Sequence, residues 1–371
     1  AQKASLVAGM FAVRRGGLVV PLEVQMPTEA AEQGSTPVPI RVLHQRYTSL
    51  GYVPEYLAIV GAHDALPQVK GQSIFGSGEM EHPVSDLPYG QVDTDMFLDV
   101  AIGRIVSATI EEGSALATRT TTYEQLADGF WENQFVESGL WGFDELRSMF
   151  TNVGFDAPTH PTEEEIENIG IIEAAAMLHK DHSNCMILGH AMDVRTEVLF
   201  APAVVGSMGC SVAGMDQVFE TQRTMVDHVL GSGAVAFMGA SRNAIAENTY
   251  MHVAFWNELF EGRTIGEAYR EGVNDFLVHW KDEGDAAALR YSIDIQLLFG
   301  DPALALAVPG APEVAPAQAE RDGNTVTVLG PEAWTLVQFK EEQLAEWGYD
   351  EDLFMYVGPG ATPRTYWSGR H

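Results

Sequence analysis

Two residues of this chain have the chemistry of a nucleophile and its base. The run MILGHA places His190 after four apolar residues, and VVGSMGCS places Cys210 likewise at the end of an apolar run. A thiol with a free pKa near 8.5 is mostly protonated at neutral pH, so a nucleophilic cysteine needs a neighbouring base, and histidine is the usual one. Gly206, Ser207, Gly209, Ser211 and Gly214 surround Cys210 with small side chains, which leaves room for a peptide backbone and lets main-chain N–H groups face a developing oxyanion. The bland reading stands beside this one, because a cysteine on a buried strand is often a small hydrophobe and a histidine at a strand end is often a satisfied polar tip. Cys185, inside its own apolar run, reads as a core residue, and His182 as a surface one.

The pair meets only if neighbouring strands carry it to one sheet edge. Residues 4–15 have helical spacing, Gly16-Gly17 closes them, and GLVVPLEV reads as a strand. After the loop QMPTEAAEQGSTPVP, the helix IRVLHQRYTSLGY leads through Pro54 to the strand EYLAIV, and its turn Gly61-Ala62-His63-Asp64 falls at the carboxyl edge where ligands bind α/β sheets. MFLDVAIGRI is a further strand, followed by the helices ATRTTTYEQLADGFW, ELRSMFTNVGF and TEEEIENIGIIEAAAMLHK, the last with acids in its first turn. Strand NCMILGHA, strand VVGSMGCS, helix QVFETQRTMVDHVLGSG, strand AVAFMGAS and two helices, about 248–260 and 265–280, complete the pattern. Helices alternating with buried strands imply a mostly parallel sheet covered on both faces. PGAPEVAPAQA then reads as a linker, and NTVTVLGP with WTLVQF as paired strands of a small sandwich-like module. The expected division is an N-terminal α/β subdomain over 1–120, a catalytic subdomain over 121–308 and a β-rich module over 309–371.

Six segments in order carry a resemblance: VPEYLAIVGAHDALP, SDLPYGQVDTDMFLDVAIGRI, MILGHA, VVGSMGCSVAGMD, GAVAFMGASRNA and LLFGDPALAL. Together, from about Pro54 to Val308, the chain resembles the gingipain family of cysteine peptidases, relatives of caspases and legumains. The resemblance implies a caspase-like α/β fold in two subdomains followed by an immunoglobulin-like β module. It also implies a His190–Cys210 dyad, with bound calcium as a frequent structural ion and no cofactor needed for the chemistry. In the family, glycine follows the catalytic histidine and its N–H helps form the oxyanion hole; here Ala191 stands there, keeping the N–H but not glycine's freedom at positive φ. The stretch from His190 to Cys210 is also short for the family and lacks an obvious helix. A degenerate, inactive member is therefore the alternative to an active enzyme.

An active enzyme would form a thioester at Cys210, hold the oxyanion with N–H groups near Gly209 to Cys210 and at Ala191, and protonate the leaving amine from His190. A third group orienting His190 is expected; His63-Asp64, Asp144 and Glu145 are candidates, with turn or helix capping as their alternative role. The substrate pocket is expected near Asp144 or Glu145, which would favour a basic residue, and near Ser241 and Arg242, which would favour an acidic one. Asp86, Asp93, Asp95 and Asp99 lie in a Gly/Pro-rich loop as calcium ligands often do, against the plainer reading of solvated loop acids.

Composition limits the alternatives. The chain has 371 residues, 46% hydrophobic and 20% charged, enough for a large core in two or three domains. Its 21 Lys plus Arg against 52 Asp plus Glu give a net charge of −31, which repels nucleic acid and anionic membranes. Two cysteines exclude a disulfide scaffold, and no apolar run approaches the roughly 18 residues of a membrane span. The start Ala-Gln-Lys reads as a processed or trimmed end and leaves export open, whereas the resemblance implies an extracellular or cell-surface protein acting on proteins or peptides. A non-catalytic surface protein, attached to others through its β module, is the competing class. A nucleotide-binding enzyme is disfavoured, since no G-x-G-x-x-G or G-x-x-x-x-G-K-[ST] follows a strand.

Overall fold

The computed structural model describes residues 7–9, 11–12, 15–17, 19, 38–51, 53–61, 66–75, 82–93, 95–107, 109–126, 131–140, 144–217, 223–280, 286–307, 309, 318–322, 325–329, 334–339 and 353–357. Most of the strand expected at GLVVPLEV, residues 18 and 20–24, and the turn residues His63 and Asp64 lie outside them. The chain divides into two compact units, one of 1–11 with 20–311 and one of 12–19 with 312–371.

Seven strands form the central sheet of the first unit: β1 (Tyr56–Val60), β2 (Ala101–Ile105), β3 (Phe135–Ser138), β4 (Ala176–His179), β5 (Val204–Ser207), β6 (Ala236–Ala240) and β7 (Gln296–Gly300), in the order β1-β2-β7-β6-β5-β4-β3. Strands β3 to β6 are mutually parallel, β1 is parallel to β2, and β7 is antiparallel to β6. The strands from β2 onward are buried along their length, as both faces are covered. Successive residues of one strand serve opposite faces. Leu178, Val204 and Met238 join one core with Phe255, Trp256, Tyr269 and Phe276 from the long helices Asn248–Phe260 and Ile265–Trp280. Their neighbours Met177, Val205 and Phe237 join the other with Leu116, Met225 and Val229 from the helices Ile110–Thr121 and Met225–Gly231. Among the described residues no helix is long and apolar enough to cross a membrane.

Local signals explain where elements stop. Helix Glu163–Ile169 begins in a capping box, Thr162 with Glu165, and ends at Gly170, whose φ of 70° is left-handed. The expected single helix TEEEIENIGIIEAAAMLHK is therefore cut: Ile171–Ile172 pairs with Leu199–Phe200 as a short strand, and Ala176–His179 becomes β4, because burial between two sheet neighbours outweighs helix propensity. The segment NCMILGHA is likewise no strand of the central sheet. Ile187–Leu188 pairs antiparallel with Met192–Asp193 in a short hairpin, and His190 sits in its turn. A short apolar run fits either structure, and Gly189, with φ 49°, supplies the reversal.

The described residues of 312–371 form one antiparallel sheet in sequence order, β8 (Gln318–Asp322), β9 (Thr325–Leu329), β10 (Trp334–Phe339) and β11 (Leu353–Val357). The expected pairing of NTVTVLGP with WTLVQF is β9 against β10.

Candidate active site

Cys210 follows β5 by three residues and is partly exposed. The chain turns sharply there: Ser211 has φ 53°, alone among the non-glycine described residues in having positive φ, and its N–H donates to the Arg242 carbonyl at 2.7 Å. Such strained backbone persists only where its surroundings enforce it, and it clusters at functional sites. Gly209 has no space for a side chain. A Cβ there would stand 2.4 Å from Ser183 Oγ and 3.0 Å from the Asp181 carbonyl oxygen.

His190 approaches from the hairpin. Its Nδ1 lies 2.6 Å from Asp181 Oδ2, and its main-chain N–H donates to the same oxygen at 3.3 Å. The imidazole is 71% exposed while the aspartate side chain is fully buried. Asp181 Oδ1 accepts the His182 N–H at 2.6 Å. Burial opposes a charge on Asp181, but the hydrogen bonds from His190 and from the two N–H groups outweigh it, so its carboxyl stays below the ordinary range. Behind it, His179 Nδ1 is 2.8 Å from Ser207 Oγ, which also accepts the Gly209 N–H at 3.2 Å. Burial lowers the His179 pKa to about 4 and keeps that ring neutral.

Asp181 is thus the partner of His190, and sequence reasoning missed it. With the apolar strand placed eight residues too late, Asp181 carried no role in the sequence reading; its position two residues past the end of β4 was the available signal. Neither of the other two described candidates for that role faces His190 by any hydrogen bond or ion pair. Asp144 and Glu145 are first-turn acids of helix Asp144–Asn152, with Asp144 94% exposed and 3.5 Å from Arg147.

The main-chain N–H groups expected at the oxyanion hole have partners within the protein. The Ala191 N–H donates to the Leu188 carbonyl at 2.9 Å, closing the hairpin turn, and the Gly209 N–H is taken by Ser207. Both are engaged inside the protein, because tight turns use their own amides. The pocket residues Ser241 and Arg242 are buried. The Ser241 hydroxyl donates to the Val84 carbonyl at 3.0 Å, and the Arg242 guanidinium pairs with Asp216 at 2.6 Å, so its charge is neutralised within the protein. Cys185 is buried, and burial pushes its thiol up, away from reactivity.

The aspartates expected to bind calcium have partners within the protein. Asp86 is buried and grips Arg104, accepting from Nε at 2.8 Å and from a terminal nitrogen at 2.5 Å. Asp93, Asp95 and Asp99 accept main-chain N–H groups of Asp95, Phe97 and Val92. Among the described residues no three acidic, histidine or cysteine side chains converge as a metal site.

Comparison with known proteins agrees with this architecture. Peptidase family C25 matches residues 24–176 and 193–307, and skips the segment that holds Asp181, His182 and His190. Among solved structures, the Arg-specific cysteine proteinase gingipain R superimposes with a TM-score of 0.68 at 16% identity, covering 91% of this chain and 85% of that one. A structure described as a protease gives 0.64 at 15% identity, over 95% and 94% of the two chains. The complex of Porphyromonas gingivalis RgpB pro- and mature domains gives 0.65 at 16%, over 96% and 89%. No match was found among curated proteins. The structural likenesses show a gingipain-like α/β fold, and the family match, which spans well over half of the sequence, shows that this chain belongs to peptidase family C25, the gingipain family.

Proposed function

We propose that the protein is a cysteine endopeptidase whose nucleophile is Cys210. The observation that carries this is the strained, partly exposed turn at Cys210–Ser211, placed at the carboxyl end of β5 beside a segment in which two imidazoles, His182 and His190, flank the buried Asp181. One imidazole takes the thiol proton as sulfur attacks the peptide carbonyl carbon, and the carbonyl π electrons move to oxygen. Collapse breaks the C–N bond, the leaving amine takes the proton from the imidazolium, and water then hydrolyses the thioester with the same imidazole as base. Of the oxyanion donors named from sequence, the main chain at Cys210 is left for the role, since Gly209 and Ala191 are engaged elsewhere. With Arg242 paired to Asp216, an acidic substrate residue has no free guanidinium to meet there. Family membership supports protein substrates and an extracellular or cell-surface setting, where the β8–β11 sheet, read as an immunoglobulin-like module, would bind neighbouring surface proteins.

A second reading, a non-catalytic binding protein on the same fold, is favoured by one observation: the two amides expected in the oxyanion hole are already hydrogen-bonded within the protein. Labelling with a peptidyl acyloxymethyl ketone separates the two. The peptidase forms a covalent adduct at Cys210 that is absent from Cys210→Ala; an intact chain that ignores the reagent, or takes it at Cys185, is the binding protein.

A further inference from the structure

The register of the sheet and the packing of the hairpin point to different places for the two imidazoles. Strands β4 and β5 are parallel neighbours, paired Ala176↔Val204 through His179↔Ser207. The ladder goes one step further, with the Met208 N–H donating to the His179 carbonyl at 2.8 Å. Three residues past His179 is His182, and three residues past Ser207 is Cys210. Parallel strands lie about 4.8 Å apart, so equal steps beyond a paired position bring residues side by side. The contacts of Gly209 agree independently: its α-carbon faces the Asp181 carbonyl and the Ser183 side chain, the residues on either side of His182. His182 is exposed, and its N–H is fixed by Asp181 Oδ1.

The hairpin of His190 lies over a face of the sheet instead. Leu188, Ala191 and Met192 belong to the core of Met177, Val205 and Phe237. Gly189 stands against His179 Nε2 and Asp181 Cβ, from two side chains that share one face of the strand direction. Asp181 therefore separates two imidazoles: its side chain holds His190 over the sheet, and its main chain leads to His182 at the rim.

Resting on the peptidase reading, we infer that His182 is the catalytic base that serves Cys210, and that His190 is a positioning residue which holds Asp181 by hydrogen bonds and so fixes the turn Asp181–Ser183. Titratable groups packed at this turn include Asp181, His190 and the buried, neutral His179.

The test compares His182→Gln, His190→Gln and Cys210→Ala in the full chain, with two readouts. The first is alkylation of Cys210 by iodoacetamide at pH 7, mapped by peptide so that Cys185 is counted separately. The second is turnover of a peptide substrate. His182→Gln is expected to slow alkylation about tenfold and to cut kcat/KM about 100-fold or more, the usual worth of a general base, while His190→Gln costs about threefold in each. A larger loss with His190→Gln, or alkylation that ignores both substitutions, overturns the assignment. A wild-type chain that cleaves nothing, yet whose alkylation depends on His182, sinks the peptidase reading and leaves the pairing intact. Should His182→Gln fail to fold, the ring signals of the wild type decide: alkylating Cys210 is expected to move the NMR resonances of His182 more than those of His190, and the reverse order overturns the assignment.

Discussion

Asp86 and Asp181 are buried almost equally, at 3% and 2% exposure, yet their partners make them opposites. Asp86 meets Arg104, itself fully buried, and both carboxylate oxygens and a third guanidinium bond to the Gly61 carbonyl close the arrangement on every side. Asp181 meets an imidazole that is mostly in water. A closed pair of this kind ties chain segments together and has no access to a substrate. The open one places a buried charge under groups that solvent and substrate can reach. One hydroxyl links the two centres, since Ser241 bonds Val84 near Asp86 while the adjacent Arg242 carbonyl anchors the turn after Cys210.

Breaking the closed pair is expected to have the largest effect on stability. Asp86→Ala strands a buried guanidinium, so urea unfolding should show a loss of about 3–5 kcal/mol, with the alkylation rate of Cys210 kept if the centres are independent. A parallel loss of alkylation would show that Ser241 transmits strain between them.

Acid should come next. His179 and His252 are buried, and burial lowers both from 6.5 to about 4. The neutral ring is the folded form, so the stability each contributes is complete above pH 6.5 and is lost as pH falls toward 4, on the order of 3 kcal/mol per histidine. Urea midpoints at pH 7 and pH 4.5 measure this, and His252→Gln should flatten the decline; an unchanged slope would mean that the ring is solvated.

Asp181→Asn keeps an acceptor for the His182 N–H but removes the charge, and should cost only about 1–2 kcal/mol. Its effect on peptide turnover should exceed that of His190→Gln, because the turn that leads to His182 loses the carboxylate itself and not only one of its partners. A stability loss as large as that of Asp86→Ala would erase the contrast between the centres. Asp144→Asn, at an exposed helix start, should change stability by less than about 0.5 kcal/mol. A shift in preference among arginine, lysine and neutral peptide substrates would show that its carboxylate reads the substrate.

Much of this architecture was legible in the sequence, because buried strands leave β-branched apolar runs: YLAIV, AIGRI, VVGS and AFMGA all lie where periodicity puts them. The position of Cys210 just past a buried strand was legible too, from the apolar run before it. The structural setting of His190 was not, because MILG has the composition of a sheet strand but folds as one side of a hairpin, and AMLH has the composition of a helix but forms β4. The outcome depends on Gly170 ending a helix and on two neighbouring strands claiming the segment, and neither long-range pairing leaves a local trace. Asp181 gained its partner only once the hairpin had folded back on it, nine residues away along the chain.

The absence of a side chain at position 209 has an evolutionary consequence. The space that a methyl group would need is filled by Ser183, so neither position can drift alone: a bulkier residue at 183 presses on the cysteine turn, and any substitution at 209 presses back on the turn after β4. Among relatives that keep this segment, positions 183 and 209 are expected to covary, with a larger residue at 209 tolerated only where 183 has shrunk to glycine.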